Sequence, residues 1–254
     1  MNRLKNLIFP LVALAAGAVT PFAFAPFRFW IVSILSVAVF ISLILYTPRP
    51  STAFYTGLAY GFGSYVTGVY WLYVSMHDYG NLNPVLAGAA VVLLALFMGL
   101  LPGSAAGLTR FFMKGWKAGP AVTACLIFPA FWVLSEWIRG WLFTGFPWVV
   151  TGYAHTTGPF AGYASVAGVY GISFITAIVA GAVAFFFTIG RDHWKRSLAL
   201  TVTVVVVLTG VGAGLRYVPW TTPHGEPIQV RLLQGNVPQE FKFTPIQIQS
   251  ALTM

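Results

Sequence analysis

The chain has 254 residues, 58% hydrophobic and 7% charged, with a mean hydropathy of +0.80. A soluble domain carries about 25% charged residues, so a single water-covered core is excluded and a polytopic membrane protein is indicated. The net charge of +9 does not signal nucleic acid, because the positive side chains sit in loops between apolar runs and form no aromatic-interleaved surface.

In chain order, seven apolar segments approach or exceed the roughly 20 residues that cross a bilayer: about 6–24, 29–46, 52–74, 84–108, 121–143, 160–189 and 197–214. The first follows Arg3 and Lys5 and runs to Ala23-Phe24-Ala25, which resembles a signal peptide. Its length and the tertiary amide at Pro26 argue instead for an uncleaved first helix. Prolines at 10, 21, 102 and 129 imply kinks that neighbouring helices support. In the third segment Ala53, Gly57 and Gly61 recur at four-residue spacing, which predicts close helix packing on that face.

Residues 70 to 84, "YWLYVSMHDYGNLNP", close the third segment with aromatics and a polar loop. His77 and Asp78 are adjacent there. Neighbours in sequence do not face one another and no nucleophile is near, so a solvated loop is favoured over acid–base chemistry. Cys125 lies inside an apolar run and reads as a small buried hydrophobe. A single cysteine excludes a disulfide framework.

Residues 132 to 148, "WVLSEWIRGWLFTGFPW", are the most informative internal stretch. Glu136 and Arg139 are three apart, hence on one helix face. Ionisable groups in a membrane segment are costly and face a partner or a wet cavity. A mutually neutralising structural ion pair is favoured over direct substrate contact. Gly145-Phe146-Pro147-Trp148 then ends the helix, as an interfacial anchor or as the wall of a lipid-entry groove. His155, His193 and His224 stand in separate loops, with no spacing that would hold a metal, and no cofactor is expected.

Loop charges predict orientation. With the N-terminus inside, Arg3, Lys5, Arg49, Arg110, Lys114, Lys117, Arg191, Lys195 and Arg196 fall on the inner side, and Arg28 alone falls in an outer loop between helices. This asymmetry follows the positive-inside rule. Trp30, Trp71, Trp141 and Trp148 then mark the outer interface, Trp116 and Trp194 the inner one. The expected organisation is a helical bundle over 1–215, a polar linker over 216–227 on the far side from the cytoplasm, and a strand at 228–233, "IQVRLL", opening a soluble domain over 228–254. A lone strand does not stabilise itself, so the chain reads as the opening part of a longer protein.

Three stretches taken together, "GVYWLYVSMHDYG", "SEWIRGWLFTGFPW" and "IQVRLLQGNVPQEFKF", with "AFAPFRFW" before them, resemble the bacterial apolipoprotein N-acyltransferases. The resemblance implies a membrane bundle in the inner membrane followed by an outward nitrilase-like α-β-β-α domain. It implies acyl transfer from a phospholipid to the amino group of the diacylglyceryl cysteine of an apolipoprotein. A Glu, Lys and Cys set carries that chemistry in the family, the Cys through a thioester. None of the three matches a residue up to Met254. Cys125 sits in the bundle, and Glu240 and Lys242 follow the strand too closely, so these residues alone are expected to be inactive. Phe243 stands where the family tends to have Trp. By motif, Trp71, Tyr73, Ser75, Gly145, Phe146, Pro147, Trp148, Gln234, Gly235 and Lys242 are carried over as lining of a lipid-accessible cavity or support of the catalytic domain. A transporter, a membrane-anchored amidohydrolase and a non-catalytic remnant are the alternatives; the first lacks a polar midplane pathway in the sequence.

Overall fold

The computed structural model describes residues 2–188 and 194–234, with side chains from residue 7 onward. Gly235, Lys242 and the rest of 235–254 lie outside the described residues, as do Arg191 and His193. Seven long helical segments make up the described bundle: α1 (Asn2–Ala18), α2 (Trp30–Tyr46), α3 (Pro50–Gly68), α4 (Pro84–Gly115), α5 (Pro120–Arg139), α6 (Ala164–Thr188) and α7 (Trp194–Leu215). Of these α4, α5, α7 and the stretch Pro159–Thr188 that contains α6 are long and apolar enough to cross a membrane, whereas α1 and α2 belong to shorter apolar helices. Four spans therefore meet the criterion where seven are expected. The shortfall at α3 has a plain cause, since Tyr, Thr, Ser and Gly fill its sequence.

Proline and capping residues set the helix starts. Pro50, Pro84 and Pro120 occupy first turns, where the missing N–H costs nothing. Asn83 caps α4 by accepting the Val85 N–H at 2.9 Å. Within α5 the turn Thr123–Ile127 is widened to π geometry. Pro129 accounts for it: its ring crowds the carbonyl four residues back and offers no N–H, and a wider turn absorbs both.

Glycine brings α1, α3 and α4 into backbone contact. A Cβ on Gly17 would lie 2.0 Å from the Tyr60 carbonyl oxygen, and one on Gly63 2.2 Å from that of Leu14. On the other face of α3, Gly57 meets Pro102 and Gly61 meets Gly99. The four-residue small-side-chain pattern of α3 is thus a helix–helix seam, of the kind that replaces hydrophobic driving force in lipid. Beside this slab, Phe40 of α2 stacks on Tyr60 of α3 at 4.2 Å and 7° and meets Phe128 and Trp132 of α5 edge-on. α6 closes this core, and α7 packs outside it, where Gly212 meets Gly162 and Tyr163 donates to the Leu208 carbonyl. Cys125 is half-buried against the core.

Residues 219–234 form neither helix nor strand, and Ile228, Val230, Leu232 and Leu233 are exposed. The expected strand at 228–233 is not formed among the described residues. Its ladder needs a partner strand, and no other described segment is extended into one.

Candidate functional site

One end of the bundle gathers the last turns of α1, α3, α5 and α7 and the start of α2. Here the chain leaves α5 through a loop whose backbone is unusual. Gly145 has φ +85, and a Cβ on it would sit 2.1 Å from the Gly140 oxygen, so only glycine fits. Phe143, Thr144 and Val149 also have positive φ, at 50, 74 and 58. For β-branched Val149 this is a strained conformation. It is held by packing, because the Val149 side chain presses on Gly68 at the end of α3. The loop is tied down by the Phe146 N–H, which donates to the Arg139 carbonyl at 2.9 Å.

The loop and the turn Trp71–Val74 together build an aromatic rim. Trp148 stacks on Phe146 at 5.2 Å and meets Trp71 at 5.5 Å. Phe146 reaches inward to the Tyr65, Ala95 and Met98 cluster. Trp71 is 43% exposed and Trp148 46%, so both rings keep one face free. Tyr73 stacks on Tyr70 and meets the His77 ring at a tilt. Of the residues singled out by motif, Trp71, Phe146 and Trp148 come together here. Gly145 and Pro147 shape the loop, Ser75 is exposed in the next turn, and Gln234 is exposed in the tail.

Beneath the rim lies a buried polar layer. Glu136 is 3% exposed, and its Oε1 accepts from the Thr151 N–H at 2.8 Å and the Thr151 hydroxyl at 2.7 Å. The Trp132 indole donates to the same hydroxyl at 3.1 Å. Ser173, close to the carboxylate, accepts the Gly152 N–H at 2.9 Å. The expected Glu136–Arg139 pair is not made. The carboxylate turns to Thr151, while the Arg139 guanidinium, also 3% exposed, lies over the Tyr65 ring at 5.1 Å from its centroid. Neither Nε nor Nη2 of Arg139 has a hydrogen-bond partner among the described residues. Thr20–Ser64 at 2.7 Å and Ser36–Tyr60 at 2.9 Å extend the layer. The small cavity between Thr20, Ser33, Ser64, Tyr60 and Thr151 has room for a water molecule and no larger guest. Sequence reasoning missed Ser64 and Ser173, because hydroxyl residues in apolar helices carry no periodic signal, and Thr151, because it stands in a loop turn whose partner is distant in the chain.

Two histidines differ from expectation. His77 and Asp78 approach to 4.0 Å although adjacent, and His77 Nδ1 contacts the Leu82 carbonyl at 2.9 Å. Both are solvent-facing, which leaves the pair a surface contact. His155 is fully buried against Trp30 and Phe160. Ser33 donates to the Trp30 carbonyl and therefore accepts from His155 Nε2 at 3.2 Å. That leaves Nδ1 as an unpartnered acceptor facing Gly158. Burial pushes the imidazole down to about 4. The unfolded chain binds the proton more readily, so stability is complete above about 6.5, the free imidazole value, and falls as pH drops toward 4. The expected loss is about 3 kcal/mol in all. Thermal unfolding in detergent from pH 7.5 to 4 checks this, and His155→Gln is expected to remove that part of the pH dependence.

The family model described as the apolipoprotein N-acyltransferase N-terminal domain matches residues 16–182. Among curated proteins, an apolipoprotein N-acyltransferase of Ralstonia nicotianae is 43% identical over 245 residues, covering 96% of this chain and 45% of the relative. The Chromobacterium violaceum protein of the same name is 39% identical over 256 residues, 98% of this chain and 46% of its own length. That of Coxiella burnetii is 37% identical over 242 residues, 95% and 49%. The chain thus spans about half the length of the curated relatives it matches.

Proposed function

Because the chain belongs to the apolipoprotein N-acyltransferase family, we propose that it is the membrane part of an enzyme that moves an acyl chain from a phospholipid to the N-terminal amino group of a diacylated apolipoprotein. The observation that carries this reading is the aromatic rim of Trp71, Phe146 and Trp148 over a buried polar layer, set in a family whose members bear that name. Both substrates keep their tails in hydrocarbon. An enzyme that works at the end of a bundle leaves them there, where each methylene drawn into water would cost about 0.8 kcal/mol. The rim residues are the lining that meets the lipid. Tyr73, Ser75, Gly145, Pro147, Gln234, Gly235 and Lys242 line the approach or support a nitrilase-like domain that begins near residue 228. Thioester formation on a Cys, with a Glu moving protons and a Lys stabilising the oxyanion, divides the transfer into two half-reactions. None of that set is matched within these 254 residues, which by themselves are expected to be inactive. The test is mass spectrometry of lipoprotein N-termini in cells depleted of the full-length protein: diacylated products are expected, and continued triacylation would overturn the reading.

The same reading places the rim and the tail on the periplasmic side of the inner membrane, with the N-terminus in the cytoplasm. Support comes from the loop charges, in which Arg49, Arg110, Lys114 and Lys117 fall at the opposite end from the rim. An alkaline phosphatase reporter fused after Leu215 is expected to be active, and a fusion after Lys117 silent. The reverse pattern would remove the assignment.

A further inference from the structure

Resting on the phospholipid reading above, we infer that Arg139 is an oxyanion site that takes the phosphate of a membrane phospholipid. A guanidinium in a membrane-spanning segment is costly unless it meets a counter-charge, carbonyl oxygens or a wet cavity. The chain holds five acidic residues. Asp78 faces His77, and Glu226 is exposed in the tail; Glu136 is bonded to Thr151 through Oε1 alone, and its unpartnered Oε2 stays beyond ion-pair distance of Arg139. Asp192 and Glu240 lie outside the described residues. No described carboxylate reaches Arg139, although the residue is 3% exposed.

The identity of the free nitrogens gives the ligand class. Nε and Nη2, both buried and unpartnered, share one edge of the planar guanidinium. Two parallel N–H groups on that edge match two oxygens of a phosphate or carboxylate. The opposite requirement, holding the arginine still, is already met. Its guanidinium carbon lies over the Tyr65 ring, 5.1 Å from the centroid, and its main-chain carbonyl accepts from the Phe146 N–H. Among the described residues the Nε–Nη2 edge has no hydrogen-bond acceptor, with Tyr170 as a polar neighbour.

What covers it is the loop 142–149, strained at Phe143, Thr144 and Val149. Strain of this kind persists where surrounding packing enforces it and is released when the segment moves. Phe146 and Val149 pack on the cluster that contains Tyr65, the ring under the guanidinium, so displacement of this loop is the route by which a ligand would reach Arg139. The site lies at the end of α5 beneath Trp71 and Trp148, at the depth where a lipid headgroup meets its acyl chains. A phospholipid reaches this depth without lifting its tails from hydrocarbon. An inorganic ion would have to cross the aromatic rim alone.

The experiment reads binding rather than turnover, so a failure of the acyl-transfer reading leaves its result intact. Full-length protein in detergent is titrated with brominated phosphatidylglycerol or brominated diacylglycerol, and quenching of tryptophan fluorescence is followed. Wild type is expected to prefer the phospholipid by about 10- to 100-fold, the worth of a charge-assisted bidentate contact. Arg139→Gln is expected to lose that preference while keeping diacylglycerol affinity, and Arg139→Lys, which keeps the charge without the fork, to retain only part of it. An unchanged preference in Arg139→Gln overturns the site. So does equal binding of the two lipids by wild type, which decides the matter if Arg139→Gln fails to fold. Competition by inorganic phosphate alone at about the lipid concentration would assign the fork to the free ion and overturn the lipid source. Insensitivity of wild type to both lipids, with a carboxylate from residues beyond 234 seated on the fork, overturns it as well.

Discussion

Gly17→Leu is expected to abolish the folded bundle, while Gly88→Leu leaves it intact. Both substitutions put the same side chain into an apolar helix, so hydropathy and insertion are matched. They differ in what the added atoms meet. At Gly17 even a Cβ would fall 2.0 Å from the Tyr60 carbonyl oxygen and 3.0 Å from the Ser64 nitrogen, whereas at Gly88 nothing lies within 4 Å. Those contacts are backbone and cannot rotate away, so α1 must lift off α3. Overpacking by one or two methylenes costs about 1–3 kcal/mol where side chains can yield, and a clash with main chain exceeds that range. The readout is the fraction of monodisperse protein after detergent extraction and its unfolding midpoint. Equal behaviour of the two variants would show that the α1–α3 seam is not what holds the bundle.

The second large effect is expected at Glu136. Replacement by leucine removes the acceptor that satisfies both the Thr151 N–H and the Thr151 hydroxyl. Two buried donors then lose their carboxylate acceptor, a loss of about 3–5 kcal/mol. Glutamine keeps an oxygen at the Oε1 position and is expected to recover most of that stability. Thr151→Val breaks the contact from the other side and also leaves the Trp132 indole without its acceptor. Its expected cost is about 1–3 kcal/mol, and Thr151→Ser is expected to be mild. Because Glu136 and Thr151 share one hydrogen-bond pair, the double variant is expected to fall short of the sum of the singles. Additivity in thermal unfolding would mean that the two residues act separately.

The apolar runs of the sequence locate the helices closely where both ends are punctuated. The run 29–46 becomes Trp30–Tyr46, and the run starting at 84 begins at Pro84 behind its Asn83 cap. The latter helix extends to Gly115, beyond the expected 108, because Leu-Thr-Arg-Phe-Phe still favours helix after the hydropathy has fallen. The third run divides after Gly68 into a separate turn at Trp71–Val74. Helix contacts were legible only where small residues repeat on one face, as at Gly57 and Gly61. Gly17 and Gly63 make still tighter contacts, each with an alanine four residues before it, Ala13 and Ala59, a repeat the sequence reading passed over. At the candidate site the motif located the rim, since "GFPW" must end a helix and expose aromatics. The charge spacing misled, because i and i+3 fixes a common face and says nothing of competing partners. Thr151, fifteen residues on, claims the carboxylate through a loop whose path depends on left-handed backbone that the sequence marks only at Gly145.

The seam between α1 and α3 has a bearing on how the protein is made. α1 finds its tightest neighbour two helices later, since its Gly17 and the Gly63 of α3 fit backbone to backbone. A hairpin of α1 and α2 is therefore an unfinished unit during synthesis, with the small-residue surface of α1 facing lipid until some fifty more residues have left the translocon. The seam on α1 is completed only when α3 docks, so the bundle is closed in an order set by glycine rather than by chain adjacency.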